Sequence, residues 1–266
     1  MNPPEKEKTT TTTKIKKEKT TSLFKDIQEF EKELISFSNK FKTTIASHSK
    51  RISDYFEMSC FNHLVKFYEL NGYNLIIENL QNNEYRYKCS TSGIQSNFSN
   101  FLAQIKVKEK LYEFEIQHNL AVQSSHDKEL FTTPDISVIK KGSVKINEEY
   151  YDTKRKFCYV SNSDFITFCE VKNFTPFPEL LFNFIGVVNE LNKNIINNKQ
   201  VKSKLKHISP SLMISGKPNK QTLRIQQSLE KRYKINIIYD IFYSGTQTFS
   251  RRKFKDIRTT DDMTIA

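Results

Sequence analysis

The stretch DFITFCEVKNF, residues 164–174, decides how this chain folds. Phe165, Ile166, Thr167, Phe168 and Val171 are strand formers, and the run is apolar enough to lie inside a sheet. Side chains of a strand alternate between its faces, so Glu170 and Lys172 share one face while Val171 points to the other. An acid and a base buried side by side are costly unless they are paired or used. Two readings follow from the residues: an ion pair closing a strand end, or a metal site.

Moving outward from that strand, the chain reads as alternating strands and helices. Residues 1–21 are rich in Thr and Lys with no apolar anchor, the composition of a disordered tail. Leu23, Ile27, Phe30, Leu34, Phe37, Phe41 and Ile45 then recur at spacings of three and four, one stripe of a helix with Ser22 as its N-cap. This helical extension, residues 22–48, packs on the domain or pairs with a second copy. The segment 52–80 reads as a helix that stops at Asn71-Gly72, with Phe56, Cys60, Leu64, Phe67 and Leu70 as its buried face, then a strand at Tyr73–Glu78. LYEFEIQHNLAVQ (111–123) reads as one strand, and TTPDISVIKKG (132–142) opens another at a proline. Residues 142–163 are polar and read as a hairpin or insertion. Beyond the central strand come a helix within 176–195 with Pro178 in its first turn, a short strand within 209–217, a helix over 220–233 and a last strand within 235–245. This order predicts an α/β domain over 49–245 built on a mixed sheet flanked by helices, followed by a tail, 246–266, that is basic and then acidic.

Composition narrows the function classes. The 42 Lys and Arg against 30 Asp and Glu give a formal charge of +12, which favours a polyanionic partner by phosphate neutralisation and counterion release. No apolar run approaches the roughly 18 residues of a membrane span, and the N-terminus lacks the apolar segment of a secretory signal. Cys60, Cys89, Cys158 and Cys169 form no CxxC pair and no zinc spacing, so they read as reduced cysteines, mostly in the core, of a cytoplasmic protein. No Gly-rich phosphate loop, GxSxG elbow or HExxH motif is present.

Pro134-Asp135 opens one strand, and Glu170-Val171-Lys172 closes an apolar one. In these residues the sequence resembles the PD-(D/E)xK nuclease superfamily, with its restriction-endonuclease-like fold. The order of elements over 51–196 and 209–215 resembles that fold as well, and Glu57 matches the acid that the family often carries on its first helix. The resemblance implies phosphodiester hydrolysis that depends on Mg²⁺, with Mn²⁺ as a substitute. Asp135, Glu170 and the Val171 carbonyl would hold the ion, Lys172 would attend the attacking water and the phosphate, and Glu57 would hold a metal-bound water or a second ion. A hard cation that keeps several waters needs only one or two carboxylates. It further implies a DNA substrate ahead of RNA, and a homodimer or partner protein, with no membrane. The rival is the same fold without catalysis, serving as a DNA-binding or scaffold module.

Two features depart from the family pattern. Glu170 follows Asp135 by 35 positions, more than the usual spacing, which requires 142–163 to be an insertion. Asp164 is an alternative acid but reads better as a strand-start residue. His118, Glu115 and Gln117 on the preceding strand read as structural, although His118 can approach the site. Glu179, Asn183 and Glu190 read as solvated. Arg251, Arg252, Lys253 and Lys255, with Arg258 and the interleaved Phe249 and Phe254, form the basic cluster best suited to nucleic-acid contact, and read equally as a solvated charged tail.

Overall fold

The central stretch forms a strand in the middle of a large mixed sheet, in a computed structural model that describes residues 27–45, 52–148, 156–193, 205–241 and 257–260. In chain order the helices are α1 (Ile27–Phe41), α2 (Ile52–Leu70), α3 (Pro178–Leu191) and α4 (Lys220–Arg232). The strands are β1 (Thr44–Ile45), β2 (Asn74–Glu78), β3 (Glu84–Tyr85), β4 (Asn100–Val107), β5 (Lys110–His118), β6 (Ala121–Gln123) and β7 (Phe131–Thr132), then β8 (Ile136–Lys140), β9 (Val144–Asn147), β10 (Phe157–Val160), β11 (Phe165–Lys172), β12 (Ser211–Ile214) and β13 (Asn236–Ile238). Seven of them make the main sheet in the order β13-β12-β11-β8-β5-β4-β2, so the chain is α/β, as its sequence predicts. β11 runs parallel to β12 and antiparallel to β8.

Each face of the sheet has its own core. On one side Phe56, Cys60, Phe61, Leu64 and Phe67 of α2 meet Phe101, Ile116, Ile136, Val138 and Cys169. On the other, Leu181, Phe184 and Val188 of α3 and Leu229 of α4 meet Phe168, Leu212, Ile214 and Ile237. Cys169 and Phe168 thus lie on opposite faces, the alternation read from the sequence. α3 begins with Pro178 in its first turn, where a missing N–H costs nothing. α4 is closed by a reciprocal capping box between Asn219 and Thr222.

Several sequence expectations need correction. The run 111–123 is not one strand. Asn119 takes a left-handed conformation (φ 49°) after β5, and β6 leaves for a second sheet ordered β7-β6-β10-β9. The segment 142–163 contains the antiparallel pair β9–β10 of that second sheet, in keeping with the hairpin expected there. β4 escaped the sequence reading; it pairs with β5 through a tight turn at Lys108 (φ 55°). The strand after Pro134 starts at Ile136, and the last strand runs only from Asn236 to Ile238 before Asp240 turns left-handed. Leu70 does not belong to the buried face of α2; it is 44% exposed.

At the N-terminus, Phe37 and Phe41 pack against Phe101, and Phe37 meets Tyr85, so α1 docks on the domain. Ile45 ends the stripe in β1, beside β3, rather than in the helix. The expected tail 1–21, the Ser22 cap and the cluster Arg251, Arg252, Lys253 and Lys255 lie outside the described residues. Arg258, the described member of that cluster, is paired with Glu230 at 3.1 Å. Cys60, Cys158 and Cys169 are buried and Cys89 is half-buried, the mostly core placement expected of them.

Candidate active site

Register brings the two motifs together. Cys169 on β11 lies opposite Ile136 on β8, so the next step along each antiparallel strand sets Glu170 facing Asp135. Lys172, two residues on and on the same face, reaches back between them. Its Nζ lies 2.8 Å from Glu170 Oε2 and 3.0 Å from Asp135 Oδ2. The Val171 N–H donates to the same Asp135 oxygen at 2.6 Å. The structure thus joins the Val171 N–H to the site, while its side chain is buried in the α2-side core.

The electrostatics follow from this crowding. Burial and the neighbouring Asp135 push the Glu170 carboxyl up to about 7, against the pull of Lys172. Burial disfavours the Lys172 ammonium, but Glu170 and Asp135 outweigh it and hold the group well above its ordinary value. Two facing carboxylates with one cation between them retain an unmet demand for positive charge. That demand is the observation that fits a divalent ion here. Asp135 and Glu170 supply hard oxygen donors, and both already share one cation. Among the described residues, no group of three or more His, Cys, Asp and Glu side chains forms a metal cage. A Mg²⁺ ion held here would therefore keep most of its waters.

Glu57 stands apart from this trio, on α2. Its Oε1 contacts His118 Nε2 at 3.0 Å and accepts a short hydrogen bond from the Asn119 side-chain amide. Burial would raise its carboxyl, but His118, Asn119 and the more distant Lys172 together hold it below the ordinary value. Glu57 is thus an ionised carboxylate within the field of Lys172, held by its own partners. His118 is buried against Phe61 at a ring separation of 5.0 Å. It approaches the site as the sequence allows, by way of Glu57.

Asn119 is the residue that sequence reasoning missed. Its backbone N–H donates to the Asp135 carbonyl at 2.9 Å, its carbonyl accepts from Lys88 Nζ at 2.8 Å, and its amide reaches both Glu57 and the Lys88 carbonyl. One left-handed residue therefore ties α2 to the start of β8. Lys88 is only 2% exposed, and burial lowers its ammonium to about 8; Gln95 Oε1 accepts from it at 2.9 Å. An Asn between two strand patterns is the available signal for such a turn, because Asn tolerates positive φ. Nothing in the sequence marks Lys88.

The remaining candidates fall outside the site. Asp164 pairs with Lys140 at 3.2 Å at the far end of β11, the strand-start role expected of it. Gln117 donates to Glu115, and Gln95 donates to Gln117, a buried chain that serves the fold. Glu190 accepts from Ser124, whereas Glu179 and Asn183 lie on the exposed side of α3. Compared with family models, curated proteins and solved structures, the chain matches none of them.

Proposed function

We propose that this protein is a metal-dependent nuclease that hydrolyses phosphodiester bonds, in DNA ahead of RNA, on a restriction-endonuclease-like core. The single observation that carries the reading is the convergence of Asp135, Glu170 and Lys172, from residues 35 positions apart in sequence, on one point at a sheet end. A bound Mg²⁺, with Mn²⁺ as substitute, would polarise the phosphoryl oxygen and acidify a bound water. Asp135 and Glu170 are the residues to hold it, with the Val171 carbonyl beside them. Lys172 then turns from its two carboxylates toward the phosphate and steadies the negative charge that grows in the transition state. Glu57, kept ionised by His118 and Asn119, accepts a hydrogen bond from water on the α2 side. The net charge of +12 supports a polyanionic substrate.

A second reading has one observation in its favour. Lys172 already bridges both acids, so the same residues serve equally as a closed ion-pair cluster in a non-catalytic, nucleic-acid-binding or scaffold module. Metal binding separates the two. On the nuclease reading, Mg²⁺ and Mn²⁺ raise the melting temperature of the wild type, because a ligand of the folded state alone stabilises it. Asp135→Asn abolishes that rise. A melting temperature indifferent to both metals in the wild type favours the scaffold.

A further inference from the structure

The loop that leaves the site carries two large rings on the surface. Phe174 and Phe177 are 43% and 44% exposed, yet they are ordered against each other, with ring centres 5.9 Å apart and planes inclined by 26°. Phe174 follows Lys172 by two residues, a reach of about 7 Å along extended chain. The rings are held by their backbone rather than by the core. The Ser215 N–H donates to the Lys172 carbonyl at 3.1 Å, and the Ser215 hydroxyl donates to the Asn173 side chain at 2.7 Å. Gly216 packs so closely on this loop that a Cβ there would lie 2.4 Å from the Phe174 carbonyl oxygen and 2.5 Å from the Thr175 Cα. Pro176 and Pro178 fix two further φ angles. A rigid, solvent-facing aromatic pair loses little entropy when something stacks on it.

The charge beside this loop indicates what stacks there. α4 begins four residues after Gly216, and its exposed Lys220, Arg224 and Lys231 recur at helical spacing along one side. Cations along the helix that starts four residues after Gly216, which itself packs on the ring-bearing loop, suit a polynucleotide whose phosphates follow the charge while its bases meet the rings. In a duplex both faces of each internal base are already covered by neighbours, so exposed rings gain most from unpaired bases.

We propose that Phe174 and Phe177 form a stacking platform for unpaired bases, and that the substrate is single-stranded or locally unpaired nucleic acid. The inference rests on the nuclease reading for the place of the scissile phosphate, but its test does not. Binding of a fluorescein-labelled thymidine oligonucleotide of about 20 residues, and of the matching duplex, is followed by anisotropy in EDTA. Phe174→Ala and Phe177→Ala each weaken single-strand binding by roughly 5-fold to 150-fold, the range of one base–aromatic stack, and leave duplex binding within about twofold. Phe174→Leu, which keeps apolar bulk but no ring face, fails to restore it. The chain has no tryptophan, so Phe177→Trp introduces a sole indole whose emission is quenched by the oligonucleotide.

Full affinity in Phe174→Leu, a preference for duplex, or indole emission that changes with protein concentration alone would overturn the platform, the last by revealing a second copy on the rings. Ring-dependent binding without metal-dependent cleavage of any substrate would keep the platform and remove the nuclease. Cleavage with ring-independent binding would do the reverse.

Discussion

Replacing Lys172 by methionine removes the one cation between two facing acids. The lost contacts are those at 2.8 Å to Glu170 and 3.0 Å to Asp135. Breaking a buried pair by deleting one partner costs about 3–5 kcal/mol. Lys172 keeps 30% of its side-chain surface in solvent, and screening lowers the expectation to about 2–3 kcal/mol. The cost must depend on pH. Burial and Asp135 already push Glu170 up to about 7 from an ordinary value of 4.5, and without Lys172 it rises further. A carboxyl with a folded pKa above its unfolded one takes up a proton on folding, so stability falls as pH rises through that window. Lys172→Met should therefore lose its 2–3 kcal/mol at about pH 8, and less than about 1 kcal/mol at about pH 5, where Glu170 is protonated. Urea unfolding followed by far-ultraviolet circular dichroism at the two pH values measures both. Equal stability of variant and wild type at the higher pH, or the same loss at both, would show that Lys172 does not hold the charge of Glu170.

Other parts of the structure make separate predictions. Asn119→Ala removes the amide that holds Glu57 and places a poor residue at φ 49°, and should cost about 2–3 kcal/mol in urea unfolding, with Asn119→Gly costing less because it keeps the backbone conformation. Burial lowers His207 to about 3 and His63 to about 4, the latter aided by Lys66. Both contribute stability that is complete above the unfolded value near 6.5 and is lost as pH falls toward the folded values, at about 1.4 kcal/mol per histidine per pH unit. His207→Gln should flatten the decline of melting temperature between about pH 6.5 and pH 5 relative to wild type, and an unchanged slope would contradict it. Gly216→Ala forces a Cβ onto the Phe174–Thr175 backbone and should lower stability by about 1–3 kcal/mol in urea unfolding.

What the sequence made legible was the period of two. Glu170 and Lys172 share a face because strand geometry leaves no alternative, and the apolar run around them announced a buried central strand. That Asp135 meets them depends on register, and the register on β11 shifts between Phe165 and Thr167, an irregularity no pattern of residue types displays. Asn119 was hidden for the opposite reason. Residues 111–123 alternate well enough to pass for one strand, and a single left-handed residue divides them. β4 carries no comparable signal, although it pairs with β5 from Phe101 to Val107 and lies in the sheet between β2 and β5. The sequence points to Phe249 and Phe254 for stacking, where basic residues are adjacent. In the fold, Phe174 and Phe177 combine exposure with nearness to Lys172, and exposure is a tertiary property.

The central claim is that Asp135, Glu170 and Lys172 hydrolyse phosphodiester bonds with a bound metal. Its most direct test incubates the purified protein with plasmid, single-stranded DNA and RNA, in Mg²⁺, in Mn²⁺ and in EDTA, beside Lys172→Ala and Asp135→Asn. Cleavage should need the metal and both side chains and be strongest on single-stranded DNA. Intact substrates under every condition with a folded protein, or cleavage that survives EDTA and both substitutions, would contradict the claim.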